Sequence, residues 1–306
     1  MKMHRTLSRR QVLYGLAAIT ANPLIPFSSI AATPPTPDWF QISLAQWSFK
    51  DAFYSGEMSN EALPEFTRSQ LGLAGIDYLS DFWLDSYRDL TTMSLMKQRA
   101  KDWNIENIMM MLHKVGDVAH VDPAERKRIL EDHQYWIEAA HAMGCSMIRV
   151  NARSEGPRET QLSLISESIR QLCEFSEPLG VDIVIENLWG SPYSYNAQFI
   201  MEVVTKVDHP RCGTLPDFNN FRYDDPYSSV AIMLPSARSV SAKSLDFTPS
   251  GQEKYIDYHR MMKIVHDSGY QGYIGIEWEG CKKSPLEGVL LTKALLEKTG
   301  REATAV

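Results

Sequence analysis

Glu186, Asp217, Lys243 and Glu277 stand at the ends of four short apolar runs, roughly 26 to 34 residues apart, which is about the length of one strand–helix unit. The runs are IVIEN (Ile183–Asn187), CGTLPDFNNF (Cys212–Phe221), SVSAKS (Ser239–Ser244) and YIGIEWEG (Tyr273–Gly280). A carboxylate at the end of an apolar strand carries a desolvation penalty unless it binds a metal, pairs with a cation or meets a substrate. Glu186, Asp217 and Glu277, with the amides of Asn219 and Asn220 close by in sequence, form a hard-oxygen donor set suited to Mn²⁺ or Mg²⁺. The competing reading is that these acids cap the following helices or pair with Arg149, Arg153 and Lys243.

Side chains alternate along a strand. Glu186 therefore shares a face with Val184, and Glu277 shares one with Gly275 and Glu279, the glycine leaving room for a ligand. Asn187 turns away or begins the loop. His113 closes the third apolar run (MMMLH) and is the histidine best placed to act as base, acid or ligand; a plain loop histidine is the alternative. Arg149 and Asn151 share a face at the end of the fourth run, within reach of substrate hydroxyls or of neighbouring acids. Trp47, Phe49, Tyr78, Phe82, Trp83, Trp189 and Phe218 all fall at or just past run ends. Aromatic rings there can stack on a sugar or simply pack the loops; Trp47, Trp189 and Phe218 are the candidates for substrate contact.

These residues need a scaffold that brings strand ends together. Four more apolar runs precede the first set: Ile42–Trp47, Gly75–Ser80, Asn107–Leu112 and Ser146–Asn151. Helical patterns lie between runs, as in Asp122–Met143, where Ile129, His133, Trp136, Ile137 and Ala140 recur at i, i+3, i+4 spacing. Further helices are expected over Glu159–Leu179, Asn196–Val207, Tyr255–Ser268 and Ser284–Thr299. Eight short apolar strands alternating with helices predict a parallel sheet covered by helices. The count of eight selects the closed α/β (β/α)8 TIM barrel over 39–301, and no GxGxxG follows the first strand.

The N-terminus reads differently. Ser8-Arg9-Arg10-Gln11-Val12-Leu13, a short apolar stretch and Ser29-Ile30-Ala31 have the layout of a twin-arginine export signal over 1–31. A proline-rich tether over 32–38 follows, and a periplasmic or otherwise exported protein is expected. The apolar stretch is too short to span a bilayer, so stable membrane insertion is not expected. Removing Lys2, Arg5, Arg9 and Arg10, with no acidic residue lost, takes the formal charge from −7 to −11. Such acidity argues against a nucleic-acid partner. The four cysteines show no CxxC pairing, and Cys145, Cys173 and Cys212 sit in apolar contexts as buried small hydrophobes.

The series IENLWG, TLPDFNNF, VSAKSLDF and YIGIEWEG, with AQWSF and IRVNAR upstream, resembles the xylose-isomerase-like barrels over residues 40 to 300. That superfamily includes sugar-phosphate isomerases and epimerases and the endonuclease-IV-type enzymes. The resemblance implies one divalent metal held by a Glu, an Asp, a His and a Glu on the last four strands; Glu186, Asp217 and Glu277 match three of these. The third position departs: Ser241 stands where the family has histidine, two residues before Lys243. A replacement ligand such as His113, Asn219 or water, or loss of the metal to the Lys243 ammonium, would follow; Zn²⁺ is the further metal to consider. The implied activity is isomerisation or epimerisation of a keto sugar through an enediolate, with Glu186, Glu277, Lys243 and His113 as the catalytic candidates. The alternatives are a keto-glycoside lyase or hydrolase on the same barrel and a non-catalytic sugar-binding protein with a decayed site. The nuclease branch is disfavoured, because its zinc site needs several strand-end histidines. The expected partner is a small carbohydrate, and a homodimer is compatible with this reading.

Overall fold

Strands buried on both faces carry the site: β1 (Gln41–Ala45), β2 (Gly75–Leu79), β3 (Glu106–Met111), β4 (Met147–Val150), β5 (Asp182–Glu186), β6 (Cys212–Leu215), β7 (Val240–Ser244) and β8 (Tyr273–Trp278). The structure is a computed structural model that describes residues 37–221 and 224–305. The expected export signal and most of the tether lie outside the described residues.

All neighbouring strands pair in parallel, in the order β6-β5-β4-β3-β2-β1-β8-β7. Pro216, which has no N–H to donate, ends the regular β6 ladder. The barrel then closes through single bridges, Thr214 to Ala237 and Asp217 to Ser241. The Ser241 N–H donates to the Pro216 carbonyl and the Phe218 N–H to the Ser241 carbonyl, both at 3.0 Å. The eight-strand expectation therefore holds; the strands begin within a residue of their apolar runs, and β6 stops at Leu215, well short of the end of its run.

Helices form where caps and apolar periodicity agree. The long helix Pro123–Met143 opens with Asp122 accepting from the N–H groups of Ala124 and Glu125, starts on proline, and stops at Gly144 in the left-handed conformation. Pro226–Met233 and Pro285–Ala303 repeat the cap-then-proline start with Asp225 and Ser284. The expected helix from Tyr255 begins at Tyr258, because Asp257 caps it. Lys50–Ser55, Leu63–Ser69 and Leu90–Asp102 are helices that the apolar pattern does not announce.

Two apolar clusters result. One lies between strands and helices. A smaller one fills the barrel interior with Ala45, Leu79, Ile108, Met109, Met111, Met147, Val184 and Leu215. Cys145, Cys173 and Cys212 are buried, and all four thiols are unbridged. Among the described residues, no helix is long and apolar enough to cross a membrane.

Candidate active site

The C-terminal ends of the strands surround a cavity of about 260 Å³ lined by Trp47, His113, Arg149, Arg153, Glu186, Trp189, Lys243, Glu277 and Glu279, with Leu79, Met111 and Leu188. Register sets its charged wall. Lys243 on β7 is the direct cross-strand partner of Glu277 on β8, and its Nζ lies 3.0 Å from Glu277 Oε1, 3.4 Å from Glu279 Oε2 and 3.8 Å from Asp217 Oδ2. Nζ also donates to Asn220 Oδ1 at 3.0 Å. Glu186, at the end of β5, pairs with Arg149 Nε at 3.1 Å and accepts from Asn220 Nδ2 at 3.1 Å. Asn220 thus bridges the glutamate of one strand and the lysine of another.

Asp217 is the most enclosed of the acids. The Ser241 hydroxyl donates to its Oδ2 at 2.7 Å and the Asn219 N–H to its Oδ1 at 2.8 Å. Behind it, Asn187 turns away from the cavity and clamps the Asp217 backbone, accepting from its N–H at 2.7 Å and donating to its carbonyl at 3.0 Å. Burial pushes the Asp217 carboxyl up to about 8, with Glu277 and Glu186 adding to the rise and Lys243 opposing it. Burial likewise raises Glu186, against the pull of Arg149. Burial alone would depress the Lys243 ammonium, but Asp217, Glu277, Glu279 and Glu186 together hold it well above its ordinary value.

Glu186, Asp217 and Glu277 each offer an oxygen, and these oxygens lie within 4.8 Å of one another. With Glu279 they gather four carboxyl groups around Lys243 and Arg149, and a bound cation would favour the ionised form of each acid that holds it. The donors are oxygens throughout, because Ser241 brings a hydroxyl and it is already committed to Asp217. The residues present therefore fit a hard divalent cation, with Glu186, Asp217 and Glu277 as its holders.

A second polar group occupies the wall formed by the ends of β2 and β3. His113 Nδ1 lies 3.1 Å from Asp81 Oδ2, which also takes the Tyr54 hydroxyl at 2.6 Å and the Lys114 ammonium at 3.0 Å. Burial would raise the Asp81 carboxyl, but His113, Tyr54 and Lys114 outweigh it and hold the group well below the usual carboxylate range. The Trp47 ring meets His113 edge-on at 5.1 Å, and its indole N–H donates to Glu279. Trp47 therefore links the two polar walls.

The other expected residues divide. Trp189 is 63% exposed at the lip of the cavity. Asn151 stands behind the lining, accepting from Arg149 Nη1 and Arg153 Nη2 and donating to the His113 carbonyl. Phe218, expected to touch substrate, is 0% exposed and packs on Tyr258 with ring centroids 5.6 Å apart, away from the cavity. The reason is alternation: Asp217 faces the barrel, so its neighbour faces the helices. Phe49, Tyr78 and Trp83 are buried in the same outer core. Of the replacement ligands considered, His113 is turned to Asp81, and Asn219 contributes its backbone N–H rather than its amide.

Three participants carry weaker sequence signals. Asn220 is one of two adjacent loop amides, and only the fold selects it over Asn219. Asp81 lies just past β2 and meets His113 across a strand boundary. Asp77, one layer below, accepts from the Ser43 hydroxyl at 2.6 Å while its Oδ1 has no hydrogen-bond partner. Gly275 makes room for it, since a Cβ there would lie 2.5 Å from Asp77 Oδ2. Burial pushes the Asp77 carboxyl up to about 7, against the Ser43 hydrogen bond and with Glu277 adding to the rise.

Residues 69–297 match the model of the xylose isomerase-like TIM barrel family. Among curated proteins, the fructoselysine 3-epimerase of Shigella flexneri is 23% identical over 171 residues, 51% of this chain; the match spans 60% of that relative's length. Among solved structures, L-ribulose 3-epimerase superposes with a TM-score of 0.71 at 13% identity, covering 87% of this chain and 96% of that one. A xylose isomerase-like TIM barrel protein from Mycobacterium smegmatis in complex with magnesium gives 0.62 at 16% identity, covering 85% and 97%. At these identities the structural likeness establishes the fold. The family model spans well over half of the sequence, and the chain belongs to the xylose isomerase-like TIM barrel family.

Proposed function

We propose that the protein is an exported sugar isomerase or epimerase that acts on a keto sugar with the help of one divalent cation. The observation that carries this reading is the set of three buried carboxylates with oxygens within 4.8 Å of one another, placed in the barrel mouth where this fold conducts its chemistry. The epimerase names of the relatives support the reaction class. Magnesium in a structural neighbour supports Mg²⁺ or Mn²⁺ as the cation, as does the absence of nitrogen and sulfur among the donors. Held by Glu186, Asp217 and Glu277, such an ion would supply Lewis-acid stabilisation of negative charge on the substrate oxygens.

The protein's own residues supply the rest. Glu186 and Glu277 stand on different strands of the mouth, so one carboxylate takes the proton from carbon and the other returns it. Lys243, held charged by the surrounding acids, donates hydrogen bonds toward negative charge developing on oxygen. Arg149 and Asn220 hold Glu186 in place, while Ser241, Asn219 and Asn187 hold Asp217. Trp47 and Trp189 offer faces for the apolar side of a sugar ring.

A second reading, elimination or hydrolysis of a keto-glycoside, draws support from the His113–Asp81 pair. An imidazole across the cavity from the carboxylates is suitably placed to protonate a leaving oxygen. Metal analysis of the purified protein, followed by proton exchange into keto sugars in D₂O, tests the leading reading. Divalent metal at one equivalent with deuterium at the carbon next to the carbonyl is the expected result. Exchange without aglycone release separates epimerase from lyase, and no metal with no exchange across a broad sugar panel would sink both enzymatic readings in favour of a sugar-binding protein.

A further inference from the structure

Arg149 and Arg153 both line the cavity, yet they are employed differently. Arg149 is committed: its guanidinium pairs with Glu186 and donates to the Leu112 carbonyl at 2.9 Å and to Asn151 at 3.1 Å. Arg153 is not. Its nearest carboxylate oxygen is on Asp117, 3.6 Å from Nη1, beyond hydrogen-bond reach and on a side chain 43% exposed. Its side-chain hydrogen bond is a long one, 3.3 Å to Asn151 Oδ1, and its Nε is buried without a hydrogen bond; the Nε of Arg149 also makes no hydrogen bond, but it has the Glu186 carboxylate 3.1 Å away. A buried N–H without an acceptor costs about 1–3 kcal/mol, so the chain maintains this arrangement at some expense.

The local backbone is shaped to keep Arg153 there. Gly190 has φ +133, a conformation other residues rarely adopt, and a Cβ at this position would lie 2.6 Å from Arg153 Nη1. The β5 loop, carrying Trp189, therefore lies directly over the guanidinium. The acids of the cavity gather near Lys243 and Arg149, which leaves Arg153 as a fork of donors with spare capacity on the wall near His113.

We infer that Arg153 receives an oxyanion carried by the substrate, so that the preferred ligand is an acidic keto sugar, bearing a carboxylate or a phosphate ester. A planar guanidinium matches either group, and charge-assisted pairs of this kind are roughly twice as strong as neutral ones. This assignment rests on the keto-sugar reading above and names the substrate class for that same cavity.

Calorimetric binding of D-fructose, D-fructuronate and D-fructose 6-phosphate to the full chain, to Arg153→Gln and to Arg153→Lys tests it. At least one anionic probe should bind the unaltered protein about ten-fold tighter than D-fructose, and which one does so distinguishes carboxylate from phosphate. Arg153→Gln should erase that preference while leaving D-fructose affinity within roughly two-fold, and Arg153→Lys should retain part of it. Equal binding of all three probes by the unaltered protein, or equal weakening of all three in Arg153→Gln, overturns the assignment and leaves the keto-sugar reading standing. Binding of none of the three, with no deuterium exchange into D-fructose, removes both. Should Arg153→Gln fail to fold, a weakened or lost preference in Arg153→Lys with D-fructose affinity unchanged supports the assignment, and full retention with unchanged Kd values for every probe overturns it.

Discussion

Lys243 and the acids around it make the sharpest demands on single side chains. The ammonium is buried and faces Asp217, Glu277 and Glu279 within 4 Å. Removing one partner of a buried ion cluster leaves charge uncompensated, at about 3–5 kcal/mol. Lys243→Met should therefore lower the unfolding free energy in metal-free buffer by an amount of that order. The same variant frees oxygens that a divalent ion can use, so added Mn²⁺ should raise its Tm more than it raises that of the unaltered protein. An equal metal-induced shift in both would show that ammonium and ion do not share these oxygens. Glu186→Gln and Glu277→Gln, which keep shape but remove the base, should each slow deuterium exchange by about 10²–10⁴-fold; exchange at the original rate would take the proton-transfer role away from that residue. Glu186, Asp217, Lys243 and Glu277 are legible from spacing alone, because each ends an apolar run. Asn220 and Asp81 are not, because their partners come from other strands and no local pattern marks a cross-strand contact.

Strands and loops decide which of these side chains meet. The end of β5 is tied to the start of the loop after β6 by Asn187, fully buried and bonded to both polar groups of the Asp217 backbone. The Asp217 N–H and carbonyl lie on the β5 edge of this segment, where the Asn187 side chain, just past the last residue of β5, serves both. Asn187→Ala leaves a buried N–H and a buried carbonyl without partners, each costing about 1–3 kcal/mol. Two effects should appear together: a lower denaturation midpoint and weaker divalent binding by calorimetry, since Asp217 is no longer fixed. A loss of stability with unchanged metal affinity would mean that Ser241 and the Asn219 N–H suffice to position the carboxylate. Strands buried on both faces read clearly in the sequence as continuous apolar runs. Long capped helices such as Pro123–Met143 read clearly as well. Leu90–Asp102 does not, because only Met93, Met96 and Ala100 are buried on it while Leu90 and Leu95 face solvent. Phe218 departs from expectation for a related reason: a strand-end aromatic belongs to the mouth or to the outer core according to alternation, and the proline before Asp217 obscures the phase.

The barrel as a unit contains two buried titratable groups whose effects on stability run in opposite directions. Asp77, in the barrel interior, is pushed up to about 7 by burial, so the folded protein holds a proton that the unfolded chain releases near pH 3.8. Its contribution is fully present below pH 3.8 and is lost as pH rises toward 7. His133, buried on the helix Pro123–Met143 with Nδ1 2.8 Å from the Ile129 carbonyl, is lowered to about 4 by burial. Its contribution is present above 6.5 and is lost as pH falls through 4. Between about pH 4 and 6.5 each group contributes roughly one proton of opposite sign, so the two slopes nearly cancel. Asp77→Asn resembles the protonated acid in shape, keeps an acceptor for Ser43 and removes one slope. Relative to the unaltered protein, this variant should be indistinguishable near pH 4. It should become progressively more stable up to pH 7, gaining about 1.4 kcal/mol for each pH unit and as much as a few kcal/mol in all. Chemical denaturation of both proteins at half-unit steps from about pH 4.5 to 8, in metal-free buffer, measures the difference directly. A stability difference that stays constant across this range would show that Asp77 is ionised in the folded barrel, and the space Gly275 leaves beside it would then have to admit water or a cation to stabilise that charge.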